Sequence, residues 1–302
     1  MGQNQHTLRN CHLFEGKGLH TGTYAHMKVM PAPAGHGIRF RRTDLPSAPV
    51  VDALAEFVTS TARSTTISCG EAKAVTIEHI MSALTGLGVD NALVELDNQE
   101  VPILDGSAKP YVDAFLKDGL EDQGVPREYV DIPYALEIRD EKSGSWVRVE
   151  PADSPSAEVT ADFNSRVLGV QKARWDESVD YAREIGVCRT FCFFHEIEPL
   201  FRNNLIKGGD VDNAIVVVER PVDDGQLAAV AQLLNLPDLH VADGYLSNLR
   251  LHFPDECGRH KLLDLLGDFR LAGGFLNARV TAFKPGHTIN TKAAKALRSL
   301  FK

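Results

Sequence analysis

The sequence predicts an α+β fold made of two related halves, and three observations support this. The chain has 302 residues, enough for two domains of roughly 150 residues each. Hydrophobic residues make up 43% and charged residues 24%, as in a globular protein with a substantial core. The order helix, glycine break, buried strand and helix occurs once in each half. This repeat indicates two α+β halves that face one another.

The first half is predicted to contain strands followed by helices. Glycine breaks between β-branched segments predict strands, and the spacing of Ile77, Ile80 and Leu84 predicts an amphipathic helix. In chain order, the expected elements are short strands with breaks at Gly22 and over 34–37, an inserted strand or loop over 59–68, a helix from Thr76 to about Leu87, a buried strand over 91–96, and a turn at 105–107 into a helix through Leu116.

The second half follows a charged, turn-rich segment over 118–127, which predicts a linker. Its expected elements are strands over 134–138, 145–149 and 157–163, a short helix over 191–204, a buried strand over 214–219, helices over 224–235 and 258–271, a strand over 276–283 and a last helix over 290–300. The last three elements repeat the order found in the first half.

Charge and composition exclude several classes of protein. The chain has 32 Lys and Arg against 41 Asp and Glu, and both halves are acidic, so neither offers the basic excess that nucleic-acid binding needs. No apolar run approaches the ~20 residues that span a bilayer, which predicts no membrane insertion. The five cysteines form no C-x-x-C pair, which favours a reducing, cytoplasmic setting over a zinc ribbon or disulfide framework.

Two histidines occupy matching places in the repeated helices. His79 and His260 are each predicted in the first turn of their helix, and Asp264 follows His260 by four residues on the same face. Two imidazoles and one carboxylate make a three-ligand zinc site that leaves a fourth position for water. The same spacing is common on solvated helix faces, so a plain charged stripe stays open on spacing alone.

Further candidates surround these ligands. Neighbouring helical residues are about 100° apart, so Glu78 is not expected to share the metal and is a candidate general base, with Lys261 a candidate charge stabiliser. His287 is predicted in the loop after the second-half strand, either in a cleft or exposed. His20 lies in a glycine-rich string that is neither a G-x-G-x-x-G motif nor a P-loop and fits a plain turn.

Several motifs occur together in a fixed order along the chain. They are TIEH at 76–79, ALTGLGVDN at 83–91, PILDGS at 102–107, RTF at 189–191, RHKLLDLLGD at 259–268 and Gly286-His287. Together they resemble the UDP-3-O-acyl-N-acetylglucosamine deacetylase family, zinc amidases of lipid A biosynthesis in Gram-negative bacteria. The resemblance covers nearly the whole chain, from Gly16 to about Asn290.

The resemblance implies a fold and an activity. It implies two similar domains, 1–124 and 125–302, each a layered sheet-and-helix sandwich, with small inserts near 57–75 and 187–213 and an active site at the domain interface. The implied cofactor is Zn²⁺, with Fe²⁺ as the alternative in the cell. The implied reaction hydrolyses the acetamide of an acylated UDP-N-acetylglucosamine to the free amine and acetate. Some family members continue into a dehydratase domain, which is therefore an expected fused or downstream partner.

The resemblance also implies roles for individual residues. His79, His260 and Asp264 would bind the metal. The implied catalytic residues are Glu78 as general base, His287 as general acid, Asp268 as its orienting partner, Lys261 as a charge stabiliser and Thr190 as a donor to the oxyanion. The implied substrate-binding residues are His20 near the nucleotide sugar, Phe191, Phe193, Ile197 and Ile206 along an acyl passage, and Phe163 near the uridine.

Two alternatives fit the same sequence. One is a zinc amidase of the same fold that acts on another N-acyl amine, with the same catalytic residues and different inserts. The other is a non-catalytic nucleotide-sugar binding module built from two α+β halves. The second alternative predicts no bound zinc and no dependence on Glu78.

Overall fold

The computed structural model describes residues 3–196, 213–233 and 239–300. Strands and helices are mixed along the chain, and helices pack on the faces of the sheets, which confirms the predicted α+β class. The domain boundary near residue 124 stays a prediction.

The first-half sheet has five strands. They are β2 (His12–Lys17), β3 (Tyr24–Pro31), β4 (Ile38–Arg42), β5 (Val50–Asp52) and β9 (Ala92–Leu96). Their spatial order is β2-β3-β9-β4-β5; β4 and β9 run parallel and the other neighbours antiparallel. Ala25, Met27 and Val29 of β3 are buried while the residues between them are more exposed, because successive side chains of a strand point to opposite faces.

The second-half sheet repeats this topology. Its strands are β11 (Tyr129–Asp131), β12 (Leu136–Asp140), β13 (Ser145–Pro151), β14 (Ser156–Asp162), β15 (Val170–Asp176) and β20 (Phe275–Phe283). The order is β12-β13-β20-β14-β15, with β14 and β20 parallel, the other pairs along this path antiparallel, and β11 added beside β20. In both sheets, a late strand therefore lies between two earlier hairpins.

The described residues also form three smaller sheets. They contain β1 (Asn4–Leu8) with β10 (Leu120–Pro126); β6 (Val58–Ser60), β7 (Thr66–Cys69) and β8 (Ala72–Val75); and β16 (Phe191–Phe193), β17 (Ile215–Val217), β18 (Val241–Ala242) and β19 (Tyr245–Leu246). The three-stranded sheet β6-β7-β8 occupies the predicted first insert. The sheet that contains β16 begins within the predicted second insert.

The helices follow the same repeat as the sheets. Those that lie wholly within the described residues are α1 (Glu78–Gly86), α2 (Lys109–Asp118), α3 (Tyr181–Glu184), α4 (Asp224–Leu233), α5 (Glu256–Phe269) and α6 (His287–Ser299). Helices α1 and α2 flank β9 in sequence just as α5 and α6 flank β20. In the part of the chain that the structure describes, no helix is both long and apolar enough to cross a membrane.

Helices α1 and α5 approach each other closely at a glycine. A Cβ atom placed on Gly267 would lie 2.1 Å from the carbonyl oxygen of Glu78 and 3.0 Å from the amide nitrogen of Ser82. The absence of a side chain at Gly267 therefore allows the backbones of α1 and α5 to be in direct contact. One hydrophobic cluster runs through both halves around this contact, from Leu8 to Leu297.

Two local predictions are wrong. The segment 118–127 is not a turn-rich linker throughout, because Leu120–Pro126 forms β10 and pairs antiparallel with β1. The helix predicted over 191–204 is also wrong at its start, since Phe191–Phe193 forms β16, parallel to β17. Both strands depend on partners distant in sequence, which a local pattern does not reveal. Residues 197–204 lie outside the described residues.

Candidate metal centre and active site

The contact between α1 and α5 brings three candidate ligands together. One ligand atom each of His79, His260 and Asp264 lies within 4.8 Å of the others. The Oδ1 atom of Asp264 is 3.8 Å from Nε2 of His79 and 3.4 Å from Nε2 of His260. All three residues are buried. The predicted cluster is therefore inside the protein, and a solvated surface stripe is ruled out.

The two imidazoles are held in the form that binds metals. The Nδ1 atom of His260 lies 3.0 Å from the carbonyl oxygen of Cys188, which can only accept, so Nδ1 carries the proton and Nε2 keeps its lone pair toward the cluster. Burial, and next the nearby His260, lower the pKa of His79 to about 3. Burial also lowers the pKa of His260. Both rings are therefore neutral at physiological pH.

The carboxylate of Asp264 supplies the negative charge of the cluster. Burial acts to raise its pKa, but the surrounding His260, Lys261, His287 and His79 hold the pKa below its ordinary value. Its Oδ2 accepts a 2.7 Å hydrogen bond from Nζ of Lys261. Its Oδ1 is buried and has no hydrogen-bond partner among the described residues. A buried, unpartnered carboxylate oxygen beside two neutral imidazoles fits a divalent cation as the missing partner.

Glu78 lies beside this cluster without belonging to it. Its Oε2 accepts a 3.0 Å hydrogen bond from the amide of Thr65, and its Oε1 lies 3.8 Å from Nε2 of His287. Burial raises its pKa to about 7, although His287 opposes the rise. A carboxylate with this pKa exchanges protons near neutral pH, as a general base does.

His287 faces Glu78 from the first turn of α6. Its Nδ1 lies 3.0 Å from Oδ2 of Asp268, and that oxygen also accepts a 2.9 Å hydrogen bond from Asn290. Burial acts to lower the pKa of His287, but Asp268 and Glu78 raise it to about 9. The ring is therefore protonated at neutral pH and presents its Nε2–H toward Glu78. His287 begins a helix rather than lying in the predicted loop.

Thr190 is fixed by its backbone. Its amide donates to the carbonyl of Gly106 at 2.8 Å, and its own carbonyl accepts from Ile215 at 2.9 Å. The preceding Arg189 forms a buried ion pair with Glu256 at 2.9 Å, which ties this segment to the first turn of α5. Thr190 thus lies close in sequence to Cys188, whose carbonyl oxygen fixes the ring of His260 through Nδ1.

A row of aromatic rings leads away from the metal cluster. The ring centroids of His260 and Phe191 are 6.3 Å apart, and Phe191 lies 5.2 Å from Phe163 and 6.4 Å from Phe193. The predicted substrate-binding phenylalanines are therefore brought together. Nζ of Lys261 lies 5.4 Å from the centre of the Phe191 ring. The predicted passage residues Ile197 and Ile206 lie outside the described residues.

His20 is held by a buried carboxylate. Its amide donates to Oε1 of Glu100 at 2.9 Å, and Thr21 donates to Oε2 of the same side chain. Burial lowers the pKa of His20, Glu100 opposes this, and Arg63 and His287 lower the pKa further. Its buried Nε2 has no partner in the described ranges. The string around His20 is a turn, as its composition predicts.

Sequence reasoning missed several residues of this site. Thr65 and Asn290 bind the carboxylates of Glu78 and Asp268, yet they stand in no motif that predicts this. His260 lies in the second turn of α5, because this helix starts at Glu256 rather than at Gly258. The predicted start missed the buried Glu256, which pairs with Arg189 across the fold.

Known proteins similar to this chain identify its family. A family model described as UDP-3-O-acyl N-acetylglycosamine deacetylase matches residues 5–232 and 237–299. A bifunctional enzyme LpxC/FabZ of Porphyromonas gingivalis is 42% identical over 99% of this chain, and one of Bacteroides thetaiotaomicron is 40% identical over 97%. The UDP-3-O-acyl-N-acetylglucosamine deacetylase of Xanthomonas euvesicatoria pv. vesicatoria is 38% identical over 97% of this chain.

The extent of these matches differs between the relatives. This chain spans 65% and 64% of the length of the two bifunctional relatives and 89% of the Xanthomonas protein. The family model covers both repeated halves and both helices that carry the metal cluster. The chain therefore belongs to the UDP-3-O-acyl N-acetylglycosamine deacetylase family.

Proposed function

We propose that this protein is a metal-dependent deacetylase that hydrolyses the acetamide of UDP-3-O-(hydroxyacyl)-N-acetylglucosamine. The products are UDP-3-O-(hydroxyacyl)-glucosamine and acetate, in the committed step of lipid A biosynthesis. The observation that carries the proposal is the buried His79, His260 and Asp264 cluster, beside which a carboxylate and a protonated imidazole face each other. Membership of the family and the names of the relatives support the choice of substrate.

The metal would be held by the two Nε2 atoms and by Oδ1 of Asp264. Zinc suits two imidazoles, one carboxylate and an open fourth position, and Fe²⁺ accepts the same donors. Such a cation, when bound, acts as a Lewis acid toward an amide carbonyl and makes a nearby water more acidic. Lys261 neutralises the second oxygen of Asp264 and adds positive charge to the site.

The protein's own groups would move the protons. Glu78 takes a proton from the attacking water while the oxygen of that water bonds to the acetamide carbon. Thr190 donates a hydrogen bond to the oxygen that becomes negative, a contribution that often supplies much of the rate in acyl transfer. The C–N bond then breaks as His287 gives its Nε2 proton to the leaving amine, and the acetic acid that forms loses its proton to water and departs as acetate. Asp268 keeps His287 protonated and oriented until that step.

Substrate recognition would use the aromatic row and His20. Phe191 and Phe193 are proposed to line the acyl chain's path, and Phe163 to contact the uridine side. The buried, unpartnered Nε2 of His20 is a donor or acceptor for the nucleotide sugar. Ile197 and Ile206 stay predictions for the same passage.

Cellular setting and partners are part of this proposal. We place the enzyme in the cytoplasm, because its five cysteines are all free, as in a reducing compartment. A dehydratase domain, fused or separate, is the proposed partner, since three relatives are named as bifunctional enzymes LpxC/FabZ.

A turnover assay with variants tests the function. Acetate release is measured from the acylated UDP-N-acetylglucosamine and from UDP-N-acetylglucosamine without the acyl chain. We expect rapid release from the first only, and a loss of roughly 10²–10⁴-fold in Glu78→Gln, because a general base contributes about that factor. Glu71→Gln, an exposed glutamate, is the matched control. Equal turnover of both substrates would favour another amidase, and no turnover of either would favour a binding module.

A further inference from the structure

One peptide group beside the metal cluster is held by α5 at both of its polar atoms. The carbonyl oxygen of Cys188 lies 3.0 Å from Nδ1 of His260 and accepts its proton. The amide nitrogen of the same peptide group belongs to Arg189 and donates to Oε1 of Glu256 at 3.0 Å. His260 follows Glu256 by four residues, so the two side chains lie one turn apart on the same face of α5.

The rigidity of the peptide group makes these two contacts depend on each other. A trans peptide group is planar, and its carbonyl and its N–H point in opposite directions. A carboxylate that fixes the N–H of Arg189 therefore also fixes the direction of the Cys188 carbonyl. The negative charge on the N–H side also polarises the carbonyl, because hydrogen bonds in a chain strengthen one another. The ring of His260 thus has a fixed and strong acceptor.

Glu256 is itself held firmly. The side chain is completely buried. Its Oε1 also accepts from Nε of Arg189 at 2.9 Å. Its Oε2 accepts from Nη2 of Arg189 at 3.2 Å and from the amide of His252 at 2.6 Å. The guanidinium is fixed in turn, since Nη2 also donates to the carbonyl of Arg250 at 2.6 Å. Each carboxylate oxygen therefore has two donors, and the guanidinium balances the charge.

We propose that Glu256 is a positioning residue for the metal, and that it fixes the ring of His260 through the peptide group between Cys188 and Arg189. Nε2 of His260 is then directed toward the cluster before a cation binds, so binding does not have to order the ring. Outer partners of metal-binding histidines typically contribute about 10–100-fold to metal affinity. The inference rests on the proposed metal site and does not depend on the identity of the substrate.

The zinc affinity of Glu256→Gln, measured without substrate, tests the proposal. In either orientation the glutamine would set its NH₂ group against two donors, because each oxygen of Glu256 accepts two hydrogen bonds. Zinc is titrated into chelated protein in competition with a chromophoric chelator. We expect the Kd to rise roughly 10–100-fold, while about one zinc per chain still binds at saturation because all three ligands remain.

Two results of this titration would overturn the proposal. One is an unchanged Kd in Glu256→Gln. The other is the absence of saturable zinc binding in a folded variant, which would make Glu256 necessary for the site as a whole rather than for the position of one ring. A wild-type protein that binds zinc and releases no acetate would refute the proposed reaction and leave this inference standing.

A second buried ion pair separates positioning from a general loss of stability. Nη2 of Arg127 lies 2.7 Å from Oδ2 of Asp90. Asp90 follows the end of α1, whereas His79 lies at the start of that helix. Asp90→Asn should lower the melting temperature without changing the Kd for zinc. A loss of zinc affinity as large as that in Glu256→Gln would contradict the proposal, because any broken ion pair would then weaken the site.

Hydrogen exchange of the wild-type protein decides the question even if Glu256→Gln does not fold. The amide of Arg189 is followed by NMR with zinc and after chelation. If Glu256 holds the peptide group before the metal binds, this amide should exchange slowly in both states. Fast exchange in the chelated protein, with protection only after zinc is added, would show that the metal orders the peptide group and would overturn the proposal.

Discussion

The hydroxyl of Thr65 donates a 2.5 Å hydrogen bond to Oδ1 of Asp268. The amide of the same residue donates to Glu78 at 3.0 Å. One fully buried residue, directly before β7 of the insert sheet, therefore contacts both the proposed general base and the carboxylate that binds His287. The insert is thus joined to the helices that carry Glu78 and Asp268 by two short contacts, neither of which belongs to the metal cluster.

Removal of the Thr65 hydroxyl should be costly. Thr65→Val keeps the shape of the side chain and the amide bond to Glu78, but it removes one donor from the buried Asp268. We expect unfolding stability to fall by roughly 1–3 kcal/mol, as for other buried acceptors that lose a donor. Thr65→Ser should retain most of the stability. Urea denaturation of the three proteins decides this, and equal stability of the valine and wild-type proteins would contradict it.

The pH dependence of kcat/KM should have a basic limb set by His287. The proposed acid must be protonated, and its raised pKa of about 9 keeps it so at neutral pH, so activity should fall as the pH rises through about 9. Asp268→Asn removes the main charge that raises this pKa. The limb should therefore move to lower pH in that variant.

Two controls accompany the pH profile. Asp153→Asn changes an exposed aspartate and should leave the limb in place. His287→Ala should lose the basic limb altogether, whereas His240→Ala, at an exposed histidine, should keep it. An unchanged limb in His287→Ala would rule out the assigned acid. The acid limb should reflect Glu78, whose raised pKa of about 7 means that the base is ionised only above that pH.

Metal binding should depend on the side chains of His79, His260 and Asp264 and not on that of Glu78. His79→Ala and Asp264→Asn each remove a ligand and should lower bound zinc well below the wild-type content. Glu78→Gln should keep the metal while losing activity, because Glu78 contacts Thr65 and faces His287 instead. Elemental analysis of the purified variants separates these outcomes. Loss of zinc in Glu78→Gln would place that carboxylate among the ligands.

The crossing of α1 and α5 should tolerate no side chain at Gly267. Alanine is better than glycine in a helix by about 1 kcal/mol, so propensity alone predicts stabilisation. The new Cβ would lie 2.1 Å from the Glu78 carbonyl, and overpacking against backbone typically costs about 1–3 kcal/mol or more. Gly267→Ala should therefore be destabilised in thermal unfolding.

A matched glycine substitution checks this steric argument. A Cβ on Gly16 would lie 3.5 Å from its nearest neighbour, in ordinary contact. Gly16→Ala should lose less stability than Gly267→Ala. A more stable Gly267→Ala protein would show that the two helices can separate at little cost.

Much of the fold was predictable because its signals are local or repeated. The spacing of apolar residues predicts α1 and α5, and the repeated element order predicts two related halves, which the matching strand orders around β9 and β20 display. Strands β10 and β16 were not predictable from local pattern, since each pairs with a strand that is distant in sequence. The polar sequence of β10 resembles a loop as much as a strand, and the aromatic sequence of β16 resembles a helix as much as a strand.

The residues of the candidate site also divide into those that a local sequence pattern predicts and those that it does not. The four-residue spacing of His260 and Asp264 predicts a shared helix face, and the cluster with His79 is present. Thr65 and Asn290 could not be found in this way, because a threonine or an asparagine becomes a carboxylate donor only when the fold brings distant segments together.

The most direct test is a zinc titration of chelated protein, with acetate release from UDP-3-O-(hydroxyacyl)-N-acetylglucosamine as the readout. A single site formed by His79, His260 and Asp264 predicts that activity rises in proportion to added zinc and levels off near about one equivalent per chain. The Asp264→Asn protein should show no comparable rise. Full activity of the chelated protein before zinc is added would contradict a metal-dependent deacetylase. So would the absence of acetate release at every zinc concentration.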